Sequence, residues 1–276
     1  MKEIIAVTND KGGVGKTTTA QNMAVGLMLK GYKVLIIDAD SQLYDSYCNG
    51  WEPKREVAGE RTLFDAMQRD AALPVYKSER GLYFTPSSPK MAAIEPFLKE
   101  KLSPNTVLKN IFNIPVDDHT GEGLSLISET FDYVIIDCPP SLGSVTINAM
   151  VAATGLIIPA QLEPFAVRGL GKVTAKFKEV QAALNNNLVI RGFLLVMVDE
   201  RLSIGKAYRQ GLEEGFTDLV FKQVIHRNVK IQESQDSSSD IFIYAPDSVG
   251  ARDYKAFVEE FLGETHEEDT LNEQSK

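Results

Sequence analysis

Apolar positions along this chain follow two patterns that alternate from one end to the other. Segments with apolar residues at helical spacing, clearest at residues 16–30 and 251–262, predict amphipathic helices. Continuous apolar runs are typical of parallel strands that are buried on both faces. Such runs occur at residues 4–8, 34–40, 131–137, 156–160, 192–198 and 220–225. The alternation predicts an α/β fold, with a mostly parallel, twisted sheet and helices on both of its faces.

The stretch between residues 41 and 130 has weaker patterns. Residues 63–67 follow Thr62 and predict a short capped helix, whereas residues 81–85 predict a short strand. Residues 91–101 predict a helix that Pro96 interrupts. The polar stretches assigned to loops are residues 113–123, with His119 as a solvated loop residue, and residues 227–240.

The chain has the size and content of one domain with a sizeable core, or of two small ones. It has 276 residues, of which 43% are apolar, and it shows no internal repeat or linker. We therefore predict a single domain over residues 1–262. Residues 263–276 are acidic and polar, and we predict that this tail is disordered.

Charge and cysteine content narrow the functional classes. The net charge is −9, so any binding to nucleic acid must use a local basic patch. Cys48 and Cys138 lack metal-ligand spacing, which argues for a reducing compartment, and Cys138 has no evident base that would make it a nucleophile. Neither a signal-peptide pattern nor an apolar run of bilayer length is visible. We expect a soluble cytoplasmic protein.

A glycine-rich stretch after the first predicted strand has the chemistry of a phosphate-binding loop. Its glycines allow a sharp turn that points backbone N–H groups inward, and the helix that follows adds the positive end of its dipole. Lys16 supplies a positive charge for the β- and γ-phosphates, and Thr17 supplies a hydroxyl for Mg²⁺. The candidate nucleotide-binding residues are Lys11, Gly12, Gly13, Val14, Gly15, Lys16, Thr17 and Thr18.

This loop departs from the usual P-loop pattern at one position. The pattern requires glycine six residues before the lysine, where this chain has Asp10. A second lysine, Lys11, follows inside the loop, although a bare glycine turn would not need it. The alternative interpretation is a glycine turn with two solvated lysines.

Carboxylates follow two of the predicted buried strands. Asp38 and Asp40 end one strand, and Asp137 ends another. In an open parallel sheet these ends lie at the same edge as the phosphate loop. An aspartate there is the partner that a phosphate loop needs to hold Mg²⁺, directly or through water. Asp38 and Asp40 share one face if the strand continues to residue 40, but they are also explicable as a pair of turn-forming aspartates.

Several of these segments together resemble one known family. The sequences KGGVGKTT, VLIIDAD and VIIDCPPSLG resemble the ParA/MinD group of P-loop ATPases with the deviant phosphate loop. Three later segments, IPAQLEPFAVRGL, VMVDER and VIHRNVKIQES, are similar to the ParA partition subgroup, called Soj in chromosomal versions. The resemblance covers about residues 1–262. It implies a P-loop NTPase fold, ATP and Mg²⁺ as cofactors, and hydrolysis of ATP to ADP and phosphate that is slow without a stimulator.

The resemblance also implies roles for particular residues. Lys11 matches the signature lysine, which reaches across a dimer to the partner's nucleotide, and it joins Lys16 and Asp40 as a candidate catalytic residue. Asp40 matches the residue that positions the attacking water. Asp137 matches the Walker B aspartate, which gives a metal set of Thr17, Asp38 and Asp137. The segment at residues 224–232 matches the one that builds the adenine pocket.

The chain departs from the family pattern at four places. The extra negative charge of Asp10 weakens nucleotide binding unless its side chain points away from the phosphates. The altered loop after Asp40 puts the conformation of that loop and its coupling to a partner in doubt. The departures are Asp10 for Gln, residues 41–44 (SQLY) for Pro-Gln-Gly-Asn, His226 for Pro, and the serine run at residues 237–239.

The resemblance implies a DNA-partition ATPase for plasmid or chromosome segregation. ATP drives a sandwich homodimer, the dimer coats DNA non-specifically on the nucleoid, and a ParB-like DNA-binding adaptor stimulates hydrolysis and release. The candidate DNA contacts form a basic set in an otherwise acidic chain, although an ordinary set of solvated charges is the alternative. They are Arg201, Lys206, Arg209, Lys222, Arg227 and Lys230.

Three other functions were weighed against partition. A MinD-like membrane-positioning ATPase ends in a basic amphipathic helix, whereas this chain ends in GETHEEDTLNEQSK, so we expect no membrane binding. A nitrogenase-type iron protein needs cluster-ligating cysteines, and Cys48 lies in an unrelated polar stretch. A ParA-like ATPase that positions another cargo is not separable from DNA partition by sequence.

Overall fold

A computed structural model of the protein describes residues 1–52, 61–162, 166–199 and 203–264. These residues form one mixed sheet with helices on both sides. The strands are β1 (Glu3–Val7), β2 (Val34–Asp38), β3 (Pro74–Lys77), β4 (Tyr83–Thr85), β5 (Asp117–Asp118), β6 (Tyr133–Asp137), β7 (Gly155–Gln161), β8 (Val189–Val198) and β9 (Ile225–His226).

The described helices vary widely in length, and the longest ones cover the central strands. They are α1 (Lys16–Leu29), α2 (Tyr44–Cys48), α3 (Leu63–Arg69), α4 (Glu95–Lys99), α5 (Val107–Ile111), α6 (Ile127–Thr130), α7 (Ser144–Ala152), α8 (Ala166–Ala183), α9 (Ser203–Phe216), α10 (Val229–Asp236), α11 (Ile241–Tyr244) and α12 (Val249–Leu262).

The strands of the described sheet have the order β5-β3-β4-β2-β6-β1-β7-β8-β9. All pairs are parallel except β3 with β4, which confirms the predicted mostly parallel α/β fold. The strand β6 lies between β1 and β2, with Val7 opposite Asp137 on one side and Asp38 opposite Asp137 on the other. The phosphate loop and both aspartates therefore follow three adjacent strands at one edge of the sheet.

Side chains of the central strands alternate between two hydrophobic clusters, one on each face of the sheet. On β1, Ile4 and Ala6 pack in the cluster that contains α3, α5, α7 and α8. Ile5 and Val7 pack in the other cluster, with α1 and α12. This burial on both faces explains why these strands are continuous apolar runs rather than alternating ones.

Some element predictions were wrong at the sheet edges and near the C-terminus. Residues 227–240 are not a loop, because they contain α10, which begins after the capping residue Asn228. Residues 220–225 form only an isolated bridge at Val220 and the start of β9. Pro96 lies in the first turn of α4, where its missing N–H costs nothing, so it begins a helix rather than interrupting one.

His119 is exposed in a bend directly after β5, so the prediction of a solvated loop residue is confirmed, but its side chain also has partners that the sequence does not reveal. Its ring stacks on Tyr76 with centroids 4.4 Å apart, and its Nε2 lies 3.3 Å from Asp117. The predicted capped helix after Thr62 is confirmed, with a capping box to Asp65. Residues 265–276 of the predicted tail lie outside the described residues.

Candidate nucleotide and metal site

The phosphate loop connects β1 to α1 and bends through two glycines in the left-handed region. Gly13 has φ 71° and Gly15 has φ 75°, a conformation that strains residues with a Cβ. Gly15 directly precedes α1, a helix of 14 residues. The N–H groups of the first turn of α1 have no carbonyl partners within the helix, so this end of α1 attracts an anion.

Residues from neighbouring strand ends hold the loop in this shape. Asn9 donates its side-chain amide to the Pro159 carbonyl at 2.8 Å and accepts the Lys11 N–H at 3.1 Å. Gln161, at the end of β7, donates to the Gly13 carbonyl at 3.2 Å. Sequence reasoning missed Asn9 and Gln161, although both follow or end apolar runs whose carboxyl ends meet at this edge.

Lys16 is buried beneath the loop and is 6% exposed. Its ammonium donates to the Lys11 carbonyl at 2.9 Å. Burial lowers the pKa of Lys16, and the negative charge of Asp137 opposes that shift most strongly. Because an ammonium has three N–H donors and this carbonyl takes one, Lys16 has donors left for the oxygens of a phosphate chain.

Thr17 and Asp137 lie together across the edge of the sheet. The Thr17 hydroxyl donates to Asp137 Oδ2 at 2.7 Å. The other oxygen, Asp137 Oδ1, is buried and has no hydrogen-bond partner among the described residues. Burial raises the pKa of Asp137 well above its usual value, and the neighbouring Asp38 raises it further. A hydroxyl and an unpartnered carboxylate oxygen fit Mg²⁺, which binds oxygen ligands.

Asp38 is the best hydrogen-bonded carboxylate of the site. Its Oδ1 accepts the Asp40 N–H at 3.1 Å, and its Oδ2 accepts the Ser46 N–H and hydroxyl at 2.9 Å and 2.6 Å. Burial raises the pKa of Asp38 to about 6, although the Ser46 hydrogen bonds oppose the shift. Asp38 thus anchors the segment after β2, and its assignment to the metal set stays a prediction.

Asp40 does not share a strand face with Asp38, because β2 ends at Asp38. The Asp40 carboxylate accepts the Gln42 N–H at 3.1 Å, so both aspartates make turn-type bonds to residues two positions on. Asp40 is half-buried and its charge acts on Lys16, which places it beside the phosphate loop. Its role in positioning water stays a prediction.

A fourth carboxylate, Asp45, was missed by sequence reasoning. It lies in the first turn of α2 and is 1% exposed, and neither of its side-chain oxygens has a hydrogen-bond partner among the described residues. Burial raises its pKa well above the usual value, as do the charges of Asp137, Asp38 and Asp40. No sequence signal marks Asp45, because it stands in a short polar stretch without periodicity.

Asp10 lies opposite a lysine of α8. The Asp10 Oδ2 is 3.6 Å from Lys172 Nζ. This ion pair offsets part of the negative charge that the sequence led us to expect near the phosphates. The negative charge of Asp10 still raises the pKa of Lys16, although it does so less than the charges of Asp137 and Asp40.

A pocket of about 140 Å³ opens beside the phosphate loop. Its polar lining includes His226, whose Nδ1 lies 3.0 Å from Asp253 Oδ2 and whose N–H donates to the same oxygen. The structure thus brings the segment at residues 224–232 against the loop, and its role in adenine binding stays a prediction. The lining residues are Gly15, Thr18, Val196, Met197, Ile225, His226, Arg227, Asn228, Ile231, Gln232, Gln235 and Tyr254.

Comparison with known proteins identifies the family. The AAA domain family matches residues 2–190. The sporulation initiation inhibitor protein Soj of Bacillus subtilis is 36% identical over 263 residues, which cover 94% of this chain and 98% of Soj. The chain belongs to the ParA/Soj family of P-loop ATPases.

Other members and a solved structure agree with this assignment. The chromosome-partitioning ATPase Soj of Thermus thermophilus is 32% identical, covering 95% of this chain and 96% of that protein. The crystal structure of cobyrinic acid a,c-diamide synthase from Mycobacterium smegmatis, with bound ADP and magnesium, is 26% identical with a TM-score of 0.76. It covers 95% of this chain and 94% of that one. The predicted ParA/Soj-type resemblance, fold class and ATPase activity are confirmed.

The ParA/Soj pattern predicts that Lys11 contacts the nucleotide of a second subunit. Lys11 is exposed on the phosphate loop, and its reach to a second subunit stays a prediction. No helix in the described part of the chain has both the length and the apolar character that spanning a membrane requires.

The candidate DNA contacts that the structure describes have different surroundings, and their role in DNA binding stays a prediction in this ParA/Soj member. The Arg209 guanidinium donates to the Lys222 carbonyl at 3.4 Å, so these two residues are neighbours. Arg227 instead lines the pocket beside the phosphate loop, and Lys230 pairs with Glu233 at 2.7 Å. Arg201 lies outside the described residues, and Lys206 is placed only as a position on α9.

Proposed function

We propose that this chain is an ATP-dependent DNA-partition ATPase for plasmid or chromosome segregation. The observation that carries the proposal is the similarity to the chromosome-partitioning ATPase Soj of Thermus thermophilus over 96% of that protein's length. The chain is an ATPase of the same family, and the arrangement of its glycine-rich loop, Lys16, Thr17 and Asp137 supports the proposal. The cargo is DNA in this proposal.

In this proposal, ATP and Mg²⁺ would bind at the carboxyl-terminal edge of the sheet, where the phosphate loop and Asp137 lie. Gly13, Gly15 and the first turn of α1 would hold the phosphates, and Lys16 would add the positive charge of its ammonium, which the nearby Asp137 favours. Thr17 and Asp137 hold the Mg²⁺, which supplies charge neutralisation of the β- and γ-oxygens. Asp40 positions the attacking water from the turn beside Lys16.

Two chains form a sandwich dimer when ATP binds. Lys11, exposed on the loop, reaches the partner's nucleotide and acts like an arginine finger, a device worth roughly 10³–10⁵ in rate in related GTPases. A K11A variant is expected to stay monomeric with a non-hydrolysable ATP analogue while the parent dimerises, as measured by small-angle X-ray scattering. A parent that stays monomeric with the analogue contradicts this step.

The dimer binds DNA non-specifically on the nucleoid, and a ParB-like adaptor releases it by stimulating hydrolysis. Arg209 and Lys222, which are neighbours, are the contacts that the geometry favours, and Arg227 belongs to the nucleotide pocket instead. Because the chain has a net charge of −9, binding requires that two such patches act together in the dimer.

The test compares DNA binding with ADP and with ATP in the parent, K16A and K99A. We expect binding only with ATP in the parent, loss in K16A, and no change in K99A, since Lys99 is an exposed lysine on α4 that pairs with Glu95. The slope of log affinity against log salt should approach about −0.9 per phosphate neutralised. Equal binding with both nucleotides, or binding that salt does not weaken, contradicts the proposal.

The water-positioning role of Asp40 has a separate test. A D40A variant is expected to keep ATP-dependent dimerisation and DNA binding but to lose hydrolysis, because only the nucleophile is disordered. Phosphate release and DNA binding are measured on the same sample. Normal turnover in D40A assigns the water to another group.

A further inference from the structure

The segment after β2 places a carboxylate that none of the assigned roles uses. Asp45 is 1% exposed, and both of its side-chain oxygens are without hydrogen-bond partners among the described residues. Two contacts fix its position. Ser46, the next residue, is bonded to Asp38, and the Asn49 side chain donates to the Asp45 carbonyl at 2.7 Å and to Gln21 on α1 at 3.1 Å.

The surroundings of Asp45 are acidic. Burial raises the pKa of the Asp45 carboxyl most, and the negative charges of Asp137, Asp38 and Asp40 raise it further, in that order. Asp137 also has one buried oxygen without a partner, Oδ1. Asp137 in turn lies opposite Asp38 in the sheet and accepts the Thr17 hydroxyl at 2.7 Å, so the segment that carries Asp45 is anchored next to the carboxylate that faces the phosphate loop.

Such an arrangement is costly unless a positive charge completes it. A buried polar group without a partner costs about 1–3 kcal/mol, and more when it is charged. Hydrogen-bonded Asp38 shows that this chain can saturate a carboxylate here, with two donors from Ser46 and one from Asp40. Asp45 is left without donors in the same segment, so its oxygens are available to an entering ligand.

We propose that Asp45 helps to hold the nucleotide-bound magnesium ion, together with Asp137 and Thr17, through the water shell of the ion. This inference rests on the proposed function, because it needs Mg²⁺ with a nucleotide at the phosphate loop. Mg²⁺ usually keeps several of its waters, and each of them is a donor for a nearby carboxylate oxygen.

A water-mediated role follows from the geometry. Among the described residues, no group of three or more histidine, cysteine, aspartate or glutamate side chains is close enough to hold a metal ion directly. In this proposal Asp137 and Thr17 would lie next to the ion, and the oxygens of Asp45, which have no donor among the described residues, would accept hydrogen bonds from its waters. Outer carboxylates of this kind typically change metal affinity by about 10–100-fold.

The experiment measures ADP binding by isothermal titration calorimetry at increasing Mg²⁺, and again in EDTA, for the parent and D45N. We expect D45N to need roughly tenfold more Mg²⁺ for half-maximal enhancement of ADP binding. In EDTA, D45N should bind ADP about as tightly as the parent, because no hydrated ion is then present for Asp45 to hold. Thermal melting without nucleotide checks that D45N is folded, and D45S provides the same test if it is not.

A charge-matched control separates this role from general electrostatics. D10N also removes one negative charge beside the phosphate loop, on the side of Lys172. It should change ADP affinity alike with and without Mg²⁺. Identical Mg²⁺ midpoints in the parent and a folded D45N or D45S overturn the inference while leaving the proposed function intact. A parent that binds no ADP at any Mg²⁺ concentration overturns both.

Discussion

Two loops at the same edge of the sheet reach similar backbone conformations by different means. The loop after β1 turns through Gly13 and Gly15, with φ 71° and 75°. The loop after β2 turns through Leu43, with φ 61°, just before α2. Leucine in the left-handed region is strained, whereas glycine is not.

The difference lies in what holds each loop. The loop after β1 has the residues that its backbone requires, so its shape is encoded locally. The loop after β2 is held by tertiary contacts, since Leu43 is 2% exposed in the hydrophobic cluster of α1 and Ser46 is bonded to Asp38. A loop that is held by tertiary contacts can bury a residue such as Asp45 at a position that no local sequence pattern predicts.

The largest expected effect is the loss of stability that S46A causes in the loop after β2. The Ser46 hydroxyl donates to Asp38 at 2.6 Å and accepts the Ser87 N–H at 2.9 Å, and both groups are buried. Its loss should lower the free energy of unfolding by about 3 kcal/mol, because two buried groups lose a partner. Chemical denaturation of S46A beside S41A measures this, since the Ser41 hydroxyl makes no hydrogen bond in the described structure. Equal stability of the two variants would mean that Asp38 does not hold this loop.

The pH dependence of D45N tests the cost of the buried carboxylate. The pKa of Asp45 is raised in the folded protein, so the fold keeps a proton that the unfolded chain releases above its ordinary pKa, about 3.9. Rising pH therefore favours unfolding of the nucleotide-free parent, by at most about 1.4 kcal/mol per pH unit. D45N lacks this loss, so its advantage in melting temperature should grow from pH 5 upward.

Asp118 provides the opposite case for the same measurement. Hydrogen bonds from Thr120, Leu124 and Gly123 lower the pKa of Asp118 to about 2 despite the opposing effect of burial. Its contribution is present above the unfolded pKa and is lost as the pH falls toward 2. The stability that D118N loses relative to the parent should therefore become smaller as the pH falls. The stability that D45N gains relative to the parent should become smaller as well. Parallel curves for parent and D45N would show that Asp45 is not protonated in the fold.

A substitution in the first loop should affect binding as well as stability. An alanine in the left-handed conformation costs about 1–2 kcal/mol, so G15A should bind Mg²⁺-ADP roughly tenfold more weakly as its loop relaxes. G31A is the matched control, because Gly31 has φ 88° and lies away from the loop at the end of α1. Both variants should lose stability, and only G15A should lose affinity in calorimetry.

The smallest expected effect is the difference in stability between two variants at Leu43. Both L43A and L43G lose the buried side chain, but glycine relieves the left-handed strain, so L43G should be about 1 kcal/mol more stable than L43A. At Leu82, which is 1% exposed and has no positive φ, alanine should be the more stable of the two. The same order at both positions would mean that Leu43 carries no backbone strain.

The sequence allowed the main strands and the first loop to be predicted, because their signals are local. Residues 131–137 were predicted to form a buried strand that ends in an aspartate, and β6 spans Tyr133–Asp137 of them. The glycines, Lys16 and Thr17 lie where the pattern placed them, with Thr17 bonded to Asp137. These features depend on residue type and spacing within a few positions.

The other parts depend on contacts between distant segments. Asp45 is buried because Ser46 bonds to Asp38 and Asn49 bonds to Gln21, and neither bond has a signature in a single chain. The helix α10 was predicted as a loop because it lacks a broad apolar stripe. Asn228 nevertheless caps it by accepting the Lys230 N–H. A search for capping residues in polar stretches would have found that helix.

The strand order has a consequence for synthesis on the ribosome. Because β6 separates β1 from β2, these two strands are not neighbours although they emerge one after the other, and they cannot join in their final arrangement until residues 133–137 have left the exit tunnel. Until then the nascent polypeptide exposes two apolar strand edges that are open to chaperones and to wrong pairing. Truncated translation products that stop before residue 133 should accordingly be prone to aggregation and unable to retain a nucleotide.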